Sequence, residues 1–307
     1  MQKLIVIVGP TAVGKTSLSL EIAKAVNGEI VSGDSMQIYR ELNIGTAKAT
    51  HEEQAQAPHH LIDIANPEEH YSAAKFVEMA QAAITDITNR GKVPILVGGT
   101  GFYVQALLGD RPLSQIEERP DAAFEAYWDD QVQRHGEEGL REALQAVDTV
   151  SAERILPGQI RRLKRALLIS QQMGVPFSSL QPEPKRQYDA YIIGLNTDRD
   201  ILYERINKRV DMMLEEGLMA EVSRVYDLSE DATARKAIGY KELFGYHEGV
   251  MSLDDASEML KMASRRYAKR QLTWFNNQFT DIHWQDLVQK PDTLNVILEE
   301  VTDFVSE

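Results

Sequence analysis

Leu4-Ile5-Val6-Ile7-Val8-Gly9-Pro10-Thr11-Ala12-Val13-Gly14-Lys15-Thr16 is the stretch that decides the fold. Its five leading apolar residues, closed by a glycine, read as a strand buried on both faces and so predict a parallel sheet. Its last eight residues match the spacing G-x-x-x-x-G-K-[ST]. Glycines at both ends let the backbone wrap close to phosphate oxygens. The N–H groups then point inward, and the start of the following helix adds a favourable dipole. Lys15 supplies a point charge, and the Thr16 hydroxyl is a candidate ligand for Mg²⁺. Gly9, Pro10, Thr11, Ala12, Val13, Gly14, Lys15 and Thr16 are therefore the expected phosphate cradle.

Working outward, Lys15 to Val26 has helical spacing, and Glu29 to Ser32 reads as a second short strand. Ser72 to Arg90 is an amphipathic helical pattern, and Val93 to Val97 is a third buried strand, closed by Gly98-Gly99. Strands alternating with helices predict an α/β fold, a P-loop NTPase-like core on a parallel sheet. Near Pro112 the character changes. Pro120 to about Gln181 reads almost wholly as helix, broken at Pro157-Gly158 and Gly174-Val175-Pro176. Tyr191 to Leu195 resumes strand character and most simply rejoins the first sheet. The expected organisation is a discontinuous core, 1–113 and 188–307, with a helical insertion domain at 114–187. Ile201 to Leu228, Leu253 to Gln278 and Pro291 to Val305 complete the expected helices.

The chain has 307 residues, 43% of them hydrophobic, and no cysteine. Disulfides, thiolate metal sites and cysteine nucleophiles are excluded together. Met1 to Val8 is too short for a signal peptide or membrane span, so a cytoplasmic protein with no membrane partner is expected. The net charge of −14 argues against a polyanionic partner, but the average hides segregation. Glu117 to Asp148 carries ten acids and three arginines, while Arg154 to Pro182 and Lys261 to Thr280 each carry five cations and no acid. A basic face on an acidic protein follows.

A phosphate cradle does not name a reaction. A GTPase would need Asn-Lys-x-Asp, and Asn207-Lys208-Arg209-Val210-Asp211 is one residue too long. An ATPase would usually end a strand in an Mg²⁺-binding Asp, whereas the strand at 93–97 ends in Gly98-Gly99-Thr100-Gly101. Asp34 follows the second strand, whose carboxyl end opens onto the same edge as the cradle. It is either a general base on an incoming nucleophile, an indirect Mg²⁺ ligand, or a turn Asp. Arg205 and Arg209 share a helix face at i, i+4; the bland account of Arg209 is ion pairing with Glu204 or Asp211. His59 and His60 would point apart on a strand, with no further ligands nearby, so no zinc site is expected.

Several strings in this order resemble the tRNA dimethylallyltransferases. They are Gly9-Pro10-Thr11 through Thr16, Asp34-Ser35 with Tyr39, and Ile44-Gly45-Thr46-Ala47-Lys48. Next come Pro58-His59-His60-Leu61-Ile62-Asp63, Tyr71-Ser72-Ala73 and Val97-Gly98-Gly99-Thr100-Gly101. The last are Arg162 with Lys164 to Leu167, Ile238 to Glu242, and Tyr267-Ala268-Lys269-Arg270-Gln271 with Thr273-Trp274-Phe275. The resemblance spans nearly the whole chain and is to the shorter bacterial form, without a zinc-finger extension.

This resemblance implies transfer of a dimethylallyl group from dimethylallyl diphosphate to N6 of the adenine at tRNA position 37, beside the anticodon. It implies that residues 9–16 bind the diphosphate, that Thr16 contacts it and its Mg²⁺, and that Asp34 accepts the N6 proton. Arg209 helps neutralise the departing diphosphate, so Asp34, Thr16 and Arg209 are the expected catalytic residues. The tRNA anticodon stem-loop is expected to meet Asp34, Ser35, Met36, Gln37 and Thr100 in the core. In the insertion it is expected to meet Gln159, Ile160, Arg161, Arg162 and Leu163, and elsewhere Lys236, Gly239, Tyr240 and Arg270. A monomer is expected. The rivals are a small-molecule kinase using the same cradle for ATP and a nucleotide-switched RNA-binding module.

Overall fold

The structure, a computed structural model, describes residues 1–113 and 121–307. Two compact units divide the chain: Met1–Arg111 with Lys185–Glu307, and Pro112–Pro184. The sequence boundary drawn at 113/114, and the helical reading from Pro120, touch residues 114–120, which lie outside the described residues.

The first unit is built on a six-stranded sheet. In chain order its elements are β1 (Gln2–Val8), α1 (Lys15–Val26), β2 (Gly28–Ser32), α2 (His51–Gln54), β3 (His59–His60), α3 (Ala73–Asn89), β4 (Val93–Gly98) and α4 (Gly101–Leu108). The second unit holds α5 (Ala122–His135), α6 (Glu138–Val147), α7 (Thr149–Arg154) and α8 (Ile160–Met173). The chain then returns through β5 (Tyr188–Leu195), α9 (Arg199–Glu215), α10 (Leu218–Tyr226), α11 (Phe244–His247), α12 (Leu253–Gln278), β6 (Ile282–Gln285) and α13 (Thr293–Ser306).

The strand order is β3-β2-β4-β1-β5-β6, and every pairing is parallel. Because strand side chains alternate, the sheet separates two apolar layers. Leu4, Val6, Val8 and Leu96 face Phe76, Ile84, Val104 and Phe275. Ile5, Ile7, Ile95 and Ile193 face Leu18, Ile22, Leu202, Ile206 and Val301. The register pairs Val8 with Gly98 and with Gly194, and Ser32 with Val97, so four strands end at one edge. The cradle, Asp34 and the Gly98–Gly101 turn follow these strand ends.

The strands expected at 29–32, 93–97 and 191–195 are present as β2, β4 and β5, the last beginning earlier, at Tyr188. β6 was not anticipated, being short and half-exposed at the sheet edge; nor was α4, which is buried almost throughout and so lacks a polar face. Gly217, in the left-handed region at φ 98°, splits the expected 201–228 helix into α9 and α10. The second unit has its own core of Leu140, Leu144, Ala152, Leu163, Ala166 and Leu167. Asp148 stops α6 and starts α7, accepting from Ser151 N at 3.0 Å and from Ser178 N at 2.7 Å. Among the described residues, no helix is long and apolar enough to cross a membrane.

Candidate active site

The turn from β1 to α1 needs two glycines for different reasons. Gly9 has φ 143°, and a Cβ there would run into the Leu195 carbonyl oxygen of β5. Gly14, at φ 104°, supplies the left-handed residue that starts α1. Between them Ala12 is also left-handed at φ 66°, an uncommon state for a residue with a side chain. Its carbonyl accepts from Arg205 Nε at 2.9 Å. Lys15 Nζ folds over the turn, donating to Gly9 O at 2.9 Å and Pro10 O at 2.7 Å. Burial lowers its pKa to about 8, partly opposed by the Asp34 carboxylate. A half-buried charge of this kind gains from an arriving anion.

Asp34 follows β2 by two residues. Its Oδ1 accepts from Met36 N at 2.8 Å and Gln37 N at 3.4 Å, closing a local turn. Oδ2 accepts no hydrogen bond from the described residues. Burial raises the carboxyl pKa, against the lowering effect of those amides and Lys15. Asp34 is thus a turn Asp with one oxygen spoken for and one open, recessed beside a lysine.

Arg209 lies with Nη1 3.5 Å from the Thr11 hydroxyl. Among the described residues Arg209 pairs with neither Glu204 nor Asp211, and Asp211 pairs with Lys261 at 2.8 Å. Arg205 and Arg209, one turn apart on α9, both reach the cradle, and only Arg209 was anticipated as a site residue. Asn207 is an interior residue of α9 and accepts from Arg265 at 2.6 Å.

The third wall is Gly98-Gly99-Thr100-Gly101. A Cβ on Gly98 would strike the Gly33 backbone, one on Gly99 the Gln271 amide, and one on Gly101 the Trp274 indole. Thr100 precedes α4 but makes no side-chain cap, and its buried Oγ1 lies beside the Tyr267 phenol. Tyr267 lies in the same wall, its phenol pKa raised by burial and then by the Asp34 carboxylate. Gln271, from α12, joins this wall to the cradle. It was not anticipated, because nothing local in the sequence connects it to Thr11.

The other expected RNA contacts divide. Gln37 is already engaged, accepting from Ser32 Oγ at 3.1 Å and donating to Thr46 O and Ala47 O. Arg270 is exposed over the Tyr267 ring at 5.7 Å, and Lys236 is exposed near Asp231. Tyr240 is fully buried and donates to Glu221 Oε2 at 2.9 Å, while Gly239 N donates to Glu242. Its side chain has no surface to offer RNA. In the second unit, Arg161 and Arg162 are exposed on α8, with Gln159 accepting from Arg162 at 3.0 Å. Ile160 is half-buried, and Leu163 is core, so it too presents no side-chain surface. Lys164, adjacent to these arginines in sequence, is buried and paired with Glu125 at 2.7 Å and Asp129 at 2.6 Å. The basic run is therefore smaller than it looks. His59 and His60 form β3; His60 Nε2 donates to Glu29 at 2.7 Å.

A buried parallel strand, a glycine-bounded phosphate turn and a helix define a P-loop protein, here with a carboxylate after β2, which lies beyond β4 in the same sheet. The profile of the IPP transferase family matches residues 37–278, beginning just beyond both the cradle and Asp34. The chain belongs to that family. It is 47% identical over 309 residues to a tRNA dimethylallyltransferase of Limosilactobacillus reuteri, with 100% of both chains covered. A tRNA isopentenylpyrophosphate transferase structure from Bacillus halodurans is 42% identical, with TM-score 0.72 and both chains fully covered. A eukaryotic dimethylallyltransferase acting on tRNA is 30% identical, with TM-score 0.83, covering 100% of this chain and 80% of that one.

Proposed function

We propose that this chain transfers the dimethylallyl group of dimethylallyl diphosphate to N6 of the adenine at tRNA position 37. The observation that carries the reading is the open Oδ2 of Asp34, set at the same sheet edge as the Lys15 cradle. A base and a leaving-group clamp then stand together, as a displacement at an allylic carbon needs.

The adenine N6 lone pair attacks the allylic carbon. The carbon–oxygen bond breaks, and diphosphate leaves into the backbone N–H groups of residues 12–16, where Lys15 and Arg209 balance its charge. Asp34 takes the N6 proton, which its raised pKa makes easier to hold. The Thr100 hydroxyl, buried beside the Tyr267 phenol, suits a hydrogen bond to the base. The Thr16 hydroxyl would hold Mg²⁺, which would add positive charge on the diphosphate. Mg²⁺ held there would take its remaining oxygen ligands from the diphosphate and water. Arg161, Arg162 and Arg270 are the exposed cations suited to the anticodon stem-loop backbone. The working form is a monomer.

The test is nucleoside analysis after incubation with unmodified tRNA, Mg²⁺ and either dimethylallyl diphosphate or labelled ATP. N6-dimethylallyladenosine is expected only with the former. Phosphoryl transfer from ATP without alkylation would replace this reading with the kinase.

A further inference from the structure

Gln271 sits on the buried face of α12 with 5% of its surface exposed. Its Oε1 accepts from the Thr11 backbone N–H at 3.0 Å. Its Nε2 donates to the Gly99 carbonyl at 3.0 Å. Both partners are backbone groups of fixed polarity, so the orientation of the amide is determined. Gly99 admits this contact only because it has no Cβ. One side chain thus spans the cradle and the turn carrying Thr100.

We propose that Gln271 is a positioning residue that sets the spacing between the phosphate cradle and the Gly99–Thr100 wall. This rests on the transferase reading, in which those two walls hold the two reactants. A buried amide making two bonds is costly to replace, since both backbone partners are left unsatisfied. The spacing matters because displacement requires the reacting atoms within about 3–3.5 Å, and a misplacement of about 1 Å costs on the order of 100-fold in rate. Gln271 has no reason to touch either substrate, so its loss falls on turnover more than on affinity.

The experiment compares wild type with Q271M, which keeps the shape without the hydrogen bonds, and Q271E, which keeps only the acceptor. Transfer by the wild type tests the transferase reading on its own. For Q271M, kcat is expected to fall by about 10–100-fold, while KM for tRNA and for dimethylallyl diphosphate moves little. Independently of activity, the Thr11 amide should exchange its hydrogen at least about tenfold faster in Q271M, having lost its acceptor. If Q271M does not fold, Q271E serves: its carboxylate keeps the Thr11 amide slow but repels the Gly99 carbonyl, and kcat still falls. Wild-type kcat in whichever variant folds, a loss confined to KM, or unchanged Thr11 exchange in Q271M would overturn the proposal. An inactive wild type would sink the transferase reading, and Thr11 exchange would then decide whether Gln271 is the link.

Discussion

Asp34 and Lys15 perturb each other in opposite senses to their burial. Burial lowers the lysine to about 8 and raises the carboxyl, and each charge partly restores the other. Each group carries its charge at a cost. In the transferase reading, an arriving diphosphate would relieve the lysine, and a proton from N6 would relieve the carboxylate.

D34N keeps the Oδ1 acceptor for Met36 and Gln37 but removes the base. Turnover should fall by at least about 100-fold, with tRNA affinity little changed. A raised carboxyl pKa means the folded state prefers the proton, so ionised Asp34 costs stability above its unfolded pKa. D34N is therefore expected to melt no lower than wild type at neutral pH. In wild type, kcat should decline with acidification at a pH above the ordinary carboxylate range. A D34N enzyme with wild-type kcat would remove Asp34 from the mechanism.

Lys15 gives a second pH signature. With a folded pKa of about 8 against 10.5, the unfolded chain binds more protons between those values, so stability should rise with pH there. The shift corresponds to about 3 kcal/mol, reduced in practice by the lysine's hydrogen bonds to Gly9 and Pro10. K15M should abolish turnover, and the rise in stability above pH 8 seen in wild type should flatten. For wild type, KM for the diphosphate donor should increase above about pH 8, as free enzyme loses the charge. Urea titrations at several pH values read the first effect and initial rates the second.

The cations of α8 should behave unequally. R161A and R162A should each weaken tRNA binding and reduce the slope of log affinity against log salt by about 1. K164M should leave both unchanged, since Lys164 is occupied by Glu125 and Asp129. Filter binding across a salt series separates them; equal slopes in all three variants would mean that this helix does not meet RNA.

Glu29, 2% exposed, accepts from Arg90, His60 and Lys92 on β2, far along the strand from the cradle. Its pKa is depressed by the Arg90 hydrogen bonds first, then by Lys92 and His60, against the cost of burial. Its stabilisation is present above the unfolded carboxylate range and lost on acidification. E29Q should cost about 2 kcal/mol at neutral pH, with the difference shrinking below about pH 5. Turnover should be unaffected under conditions where both proteins are folded.

Much of the site is local chemistry and was readable as such. α1 and α12 begin and end where the sequence indicates, because Gly14 and Asn27 bracket one and Ser252 caps the other. The cradle, Asp34 and Thr100 follow strands whose apolar runs are unmistakable. What escaped depends on chain-distant pairing. Gln271 meets Thr11 across 260 residues, and Lys164 meets Glu125 across 39. A helical glutamine and a lysine in a basic run carry no mark of such partners. β6 pairs only through an edge, where exposure erases the hydrophobic pattern.

The insertion between α4 and β5 also sets an order of events during synthesis. β1 is made first, yet β5, one of its two neighbours, begins only at Tyr188, long after β4 ends at Gly98. At about 5–20 residues per second, β1 waits roughly 5–20 s with one edge unpaired. The helices from Ala122 to Met173 bury a core of their own and can pack during that wait. Because Gly9 rests against Leu195, the phosphate turn takes its final shape only after the ribosome has delivered the last residue of β5.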